Sequence, residues 1–311
     1  MKITVEYKDT AGTIFNQTHK LTRLAFAKHL GIAGQGYAPR PQKLIKTIAM
    51  FFHYSYYLQR KYFNNDQFSQ PPIELSDPTE KGQFSNLAGK AIADFLSKRI
   101  DQSLFTVNYE AAMRLKKMPL NVGRPDLIAY KQTSMFAIEA KGFSGGYGNM
   151  TSHKNQSLTG GIPVNFTVAC ISYELYNNVK CKYHDPFNDN VPYDNETLRG
   201  LTKSYYNGLL AFLNQKYFEY REFDFQGDKF YEVELSYRNL QKLFPEEFRF
   251  SHFWHFEILD FYRPKLILPI NIREYAENGL TNETKPFLFE IKEQNEYIYI
   301  DNDRVGLSIR R

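Results

Sequence analysis

Residues 123–142, GRPDLIAYKQTSMFAIEAKG, set an acid at the head of one apolar run and an acid and a lysine near the tail of the next. Leu127, Ile128, Ala129 and Tyr130 suit one strand, and Phe136, Ala137, Ile138 and Ala140 a second, with a polar connection between them. The segment reads as a β-hairpin. Alternation puts Phe136, Ile138 and Ala140 on one face of the second strand and Ala137, Glu139 and Lys141 on the other. Glu139 and Lys141 then stand about 7 Å apart along the strand, beside a neighbour that begins at Asp126. Two carboxylates and an ammonium then converge at one sheet edge. A purely structural sheet has little reason to build this, because buried charges without partners cost several kcal/mol each.

The elements around the hairpin must hold these groups. Asp77 as N-cap, Pro78 at the first helical position and Glu80 three residues after the cap predict a helix start. Phe84, Leu87, Ala88, Ala91, Ile92, Phe95, Leu96 and Ile100 follow at helical spacing, one apolar stripe to lie against a sheet. SLFTVNYEAA reads as a strand, then comes the hairpin, a Gly-rich connection with a short helix, and the strands PVNFTVACISYEL and NNVKCKYHDP. The expected fold class is α/β, a mixed β-sheet flanked by helices.

Upstream, residues 1–20 suggest a hairpin and residues 41–63 an aromatic-rich helix, followed by the polar, Pro-rich NNDQFSQPPIELSDPTE as a boundary. Downstream of HDPFNDNVPYDNE, a helix near 197–217, a strand near 229–237, PKLILPI and a terminal hairpin FLFEIKEQNEYIYI are expected. The chain thus divides into an N-terminal region 1–76, a core 77–190 and a C-terminal α+β accessory region 191–311.

Pro125-Asp126, then twelve residues, then Glu139-Ala140-Lys141 resembles the PD-(D/E)xK signature of restriction-endonuclease-like nucleases, over about a third of the chain. The resemblance implies a restriction-endonuclease-like core with elaborations at both ends and a Mg²⁺-dependent DNA endonuclease, with Mn²⁺ able to substitute, acting in restriction or anti-phage defence. Phosphodiester hydrolysis needs an in-line hydroxide and neutralisation of the charge that builds at phosphorus, and bound Mg²⁺ supplies both. Asp126, Glu139 and the Ala140 backbone carbonyl are the implied metal ligands, and Lys141 the group that orients the attacking water. Lys141 acts as a general base only if its pKa is lowered. Members of this class often add an acid from the first helix or first strand. Glu80 is one candidate, although a capping box fully explains it; Glu110, expected at a strand end, is the other. Gln156 falls where some of these nucleases place a supporting glutamine.

Nucleic-acid contacts are expected from the run MRLKKMPLNVGR, whose Arg114, Lys116, Lys117 and Arg124 carry no acid among them, and from His153 and Lys154. The chain as a whole has 39 Lys and Arg against 34 Asp and Glu, a net charge of +5 that suits a polyanionic partner without requiring one. Aromatic residues make up 16%, which a biased composition explains as well as base stacking does. Cys170 and Cys181 give neither a disulfide framework nor zinc spacing. No apolar run approaches a membrane span, so a soluble cytoplasmic protein is expected. A second E-x-K at Glu290 and Lys292 has no Pro-Asp strand before it, and His184-Asp185 and His252 with His255 lack a third ligand at zinc spacing. The alternative function is a catalytically inactive nucleic-acid-binding or scaffold subunit. DNA and either a second copy or a defence-complex protein are the expected partners.

Overall fold

Seven strands pair into one mixed sheet in the computed structural model, which describes residues 1–9, 11–33, 53–70, 77–131, 133–188, 192, 194–214, 218–235, 263–280 and 295–310. The strands are β1 (Lys2–Lys8), β2 (Ile14–Lys20), β3 (Phe105–Asn108), β4 (Leu127–Tyr130), β5 (Met135–Gly142), β6 (Phe166–Tyr173) and β7 (Lys180–Asn188). Their order is β2-β1-β7-β6-β5-β4-β3. The β1–β7 and β5–β6 pairs are parallel and the others antiparallel. The hairpin expected from residues 123–142 is β4–β5, with Leu127 opposite Ile138 and Tyr130 opposite Met135.

The described helices are α1 (Arg23–Ile32), α2 (Arg60–Phe63), α3 (Pro78–Ile100), α4 (Tyr109–Leu115), α5 (Met150–Ser157), α6 (Asn195–Leu210) and α7 (Ile272–Asn278). The signals that predict α3 act as expected at its start: Asp77 is the N-cap, its side chain accepts from Thr79 N at 2.7 Å, and Pro78 opens the first turn. Phe84, Ala88, Ala91, Ile92, Phe95 and Leu96 are buried with Leu127, Ala129, Phe136, Ile138 and Ala140. On the other face, Ile128, Tyr130 and Ala137 join Leu198, Leu201 and Tyr205 of α6. The two hairpin strands are therefore covered on both faces, which is why they lack a polar-out pattern.

A second, antiparallel sheet runs β11-β12-β10-β9-β8, from β8 (Phe218–Phe225), β9 (Asp228–Leu235), β10 (Lys265–Pro269), β11 (Ile298–Ile300) and β12 (Gly306–Ser308). The turn between β11 and β12 carries Asp301 and Asp303 into the interior. There Lys28 of α1 lies 2.7 Å from Asp303, and Lys98 of α3 lies 3.1 Å from each of Asp301 and Asp303. Tyr205 of α6 donates to Asp303 at 2.7 Å. This buried network joins residues of all three expected regions, and β1 of the N-terminal hairpin is a strand of the main sheet. The expected boundaries themselves fall beside residues 71–76 and 189–191, outside the described residues.

Several elements differ from expectation. SLFTVNYEAA is strand only to Asn108; the Asn108 side chain then caps α4, accepting from Glu110 N at 2.9 Å. The aromatic-rich helix lies outside the described residues up to 52, and from 55 the chain forms a single 3₁₀ turn (Ser55–Leu58) and the short α2. The helix near 197–217 spans Asn195–Leu210, and β8 is a further strand ahead of the one expected near 229–237. Of the terminal hairpin, residues 281–294 lie outside the described residues, and β11 pairs instead with β12.

Candidate active site

Pro125 is buried immediately before β4, where the N–H that proline lacks is not needed by the ladder. Asp126 then extends the ladder by one residue. Its N–H donates to Ile138 O at 3.1 Å and its carbonyl accepts from Tyr109 N at 3.1 Å. With the backbone held from both sides, the carboxylate projects over the end of β5. Oδ2 accepts from Ala140 N at 3.2 Å and from Lys141 Nζ at 3.1 Å. Glu139 and Lys141 share a face of β5, and Lys141 Nζ reaches Glu139 Oε1 at 2.6 Å. One ammonium therefore bridges both carboxylates.

Glu139 is the most unusual group in this arrangement. Its side chain is 0% exposed, and beyond the Lys141 ion pair neither carboxylate oxygen receives a well-directed hydrogen bond. Burial, reinforced by the charge of Asp126, pushes its pKa up to about 7. For Lys141, burial acts to lower the pKa, but Asp126 and Glu139 outweigh it and hold the ammonium above its usual value. Lys141 is thus a fixed cation here, and the condition for a general base is not met.

Close packing of α3 sets the position of this strand end. A Cβ on Gly89 would fall 2.4 Å from Gly142 N and from the Lys141 carbonyl carbon, and one on Gly142 would fall 1.9 Å from Ser85 O. Only a glycine pair permits such backbone contact. The same helix delivers Lys90, whose Nζ lies 3.5 Å from Asp126 Oδ1. Nothing in the sequence spacing singles out Lys90; it is found by contact alone. The Ala140 carbonyl points, by strand alternation, to the same edge as Ala140 N and hence toward Asp126, past the first residue of β4.

Most of the remaining candidates are held by partners outside this centre. Glu110 sits in the first turn of α4, where Arg114 donates to it at 2.6 Å and Arg124 also pairs with it. Hydrogen bonding to Arg114, with the nearby Arg124, keeps its carboxyl below the usual range. Lys116 pairs with Asp194. Of the four cations in the basic run, only Lys117 has no acidic partner among the described residues. Glu80 accepts from Tyr57 OH at 3.3 Å in the first turn of α3. Gln156 on α5 donates to Arg124 O at 3.4 Å. His153 stands near Lys141; burial, helped by that charge, lowers its pKa. His184 pairs with Glu6 at 2.9 Å, while Glu290, Lys292, His252 and His255 lie outside the described residues. Cys170 and Cys181 are free buried thiols.

Among the described residues, no group of three or more His, Cys, Asp or Glu side chains is arranged to hold a metal ion, and no helix is long and apolar enough to cross a membrane. Asp126 and Glu139 supply two carboxylates, and Glu139 Oε2, which has no partner among the described residues, is the kind of donor a hard cation takes. No family model, curated protein or solved structure matches the chain.

Proposed function

We propose that the chain is a divalent-metal-dependent phosphodiesterase, a DNA endonuclease with a restriction-endonuclease-like core. The observation that carries this reading is the convergence of Asp126, Glu139 and Lys141, with both carboxylates on one ammonium and Glu139 buried without directed hydrogen bonds. Stability alone gives a fold little reason to retain such a buried pair, since desolvation of both charges offsets their attraction. The run of α3, β3, β4, β5, α5 and β6, interrupted by the short α4 between β3 and β4, with three antiparallel strands and then a parallel fourth, supports it as close to the order the motif resemblance implies.

Asp126, Glu139 and the Ala140 carbonyl would hold Mg²⁺, which when bound supplies charge neutralisation and an activated water. The chain's own residues do the rest. Lys141 presents a fixed positive charge to an anionic phosphate, and Lys90 holds the outer oxygen of Asp126. Burial of Glu139 keeps bulk water from its carboxylate, which strengthens each electrostatic contact made there. The rival reading, a catalytically inactive nucleic-acid-binding or scaffold subunit, draws on the absence, among the described residues, of a third acidic side chain grouped with the pair.

Cleavage of plasmid and linear DNA by purified protein separates the two. The expected result is nicking or cutting that requires Mg²⁺ or Mn²⁺, is lost in Glu139→Gln and Asp126→Asn, and leaves DNA binding in EDTA intact. Metal-dependent cleavage at the wild-type rate by Glu139→Gln refutes the site; absence of cleavage by the wild type favours the binding subunit.

A further inference from the structure

The cations of the basic run are largely neutralised by Glu110 and Asp194, and the uncompensated charge lies elsewhere. Parallel and antiparallel pairing carries the face of Glu139 and Lys141 across four strands. Lys141 pairs with Ile171, Ile171 with Lys182, and Lys182 with Glu6; Glu139 pairs with Ala169, Ala169 with His184, and His184 with Lys8. Lys182 is thus two strands, about 10 Å, from Lys141, and Lys8 three strands, about 15 Å, from Glu139. Toward these rows α5 extends Lys154, close enough to Lys8 and Lys182 that their charges add to burial in lowering its pKa.

Among the described residues, charge balance at this patch does not close. Glu6 is the acid at its centre, and its carboxylate is committed to Lys182, at 2.7 and 2.9 Å, and to His184 at 2.9 Å. Lys8 and Lys154 form no ion pair with an acid among the described residues, Glu6 acting on Lys154 only at longer range, and both side chains reach solvent. Two neighbouring ammonium groups held together by the fold repel each other, and an anion relieves that repulsion. Beside them the loop after β5 places Tyr147, 37% exposed, with the Lys182 ammonium 4.6 Å from its ring centre and Tyr173 edge-on at 5.1 Å. The ring is fixed in orientation and still reaches solvent, which is what a base-stacking platform requires. A duplex interior offers no base face to such a ring.

We infer that the part of this sheet face left partly exposed beside α5, along β7 and β1 where Lys182, Glu6 and Lys8 reach solvent, is the track for a single-stranded flank of a polynucleotide, with Lys8 and Lys154 on its phosphates and Tyr147 stacked on a base. The inference rests on the hydrolytic reading of the Asp126–Glu139 site for the strand's destination, since the rows lead from the track to that site.

The test is fluorescence anisotropy of labelled single-stranded oligodeoxythymidine in EDTA across a salt series. Changing Lys8 and Lys154 together to Ala is expected to weaken binding and to lower the log–log salt slope by about 1.4, two phosphate contacts at about 0.7 each on a single strand. Tyr147→Ala is expected to weaken binding about fivefold or more with the slope unchanged. An unchanged slope in the lysine double variant overturns the track. So does a blunt duplex bound as tightly as the single strand with no effect of Tyr147→Ala. Cleavage of the same oligonucleotide in Mg²⁺ is read separately: if the double variant binds normally while the wild type cuts and Glu139→Gln does not, the track fails and the hydrolytic site stands. If the salt slope falls as expected but Glu139→Gln still cuts, the site fails and the track stands.

Discussion

Proton and metal compete for one buried oxygen pair. Because Glu139 has a pKa of about 7 in the metal-free protein, most of its carboxyl is protonated at pH 6 and ionised at pH 8. A metal ligand must give up its proton, so Mg²⁺ affinity should fall about tenfold per pH unit below 7 and level off above about 8. Isothermal titration with Mg²⁺ at pH 6, 7 and 8 measures this directly, and a flat profile would show that Glu139 does not ligate. Lys141→Met should sharpen the effect. Without the ammonium, Asp126 repels a Glu139 charge that nothing balances, and the titration should move to higher pH. The pairing of Asp126 with Glu139 and Lys141 was legible in the sequence because strand alternation is a rigid rule and the connection was short. Lys90 was not, since its contact depends on how closely α3 approaches β5, and that distance has no signature in residue spacing.

At the level of elements, the glycine contact between α3 and β5 fixes the site more tightly than any side chain. Gly89→Ala puts a methyl group where the Lys141 and Gly142 backbone lies, so the helix must lift or the strand must shift. The expected cost is about 1–3 kcal/mol of stability, as for an overpacked core. Catalysis should suffer more than stability alone accounts for, because a misplacement of about 1 Å at a reacting centre can cost on the order of a hundredfold in rate. Gly82→Ala is the control: it lies on the same helix with open space where its Cβ would be, and should leave both unchanged or slightly raise stability. Chemical denaturation beside steady-state cleavage tests the pair. Local signals did well where a cap and an apolar stripe coincide, as in α3. They failed at Asn108, where a strand turns directly into α4: Phe105-Thr-Val-Asn-Tyr reads as continuous strand, and the capping role of the Asn side chain is decided by tertiary contact. They failed also at β8, FEYREFDF, which is mostly exposed and so shows no buried stripe.

Across the whole molecule, stability and pH are linked through groups far from one another. Folded Glu139 keeps its proton to about pH 7 while the unfolded side chain releases it near 4.5. Between those values the folded state binds more protons, so this group makes stability fall as pH rises, by about 3 kcal/mol over the window. Asp185, buried against Tyr7 and repelled by Asp101, is pushed up to about 8 and acts with the same sign. Asp94, drawn down by Lys98 and His29 against the cost of its burial, contributes stability above pH 4 that is lost on further acidification. His29, lowered by burial, opposes the first two groups below pH 6.5, so the wild-type curve is a sum and single groups are isolated by difference. Thermal midpoints from pH 4.5 to 8.5 in EDTA should show Glu139→Gln and Asp185→Asn each gaining on the wild type as pH rises. Added Mg²⁺ should then stabilise the wild type and close the gap to Glu139→Gln while leaving the gap to Asp185→Asn in place, because a cation at the Asp126–Glu139 pair relieves the first buried charge and cannot reach the second. Closure of both gaps, or of neither, would place the metal somewhere other than this pair.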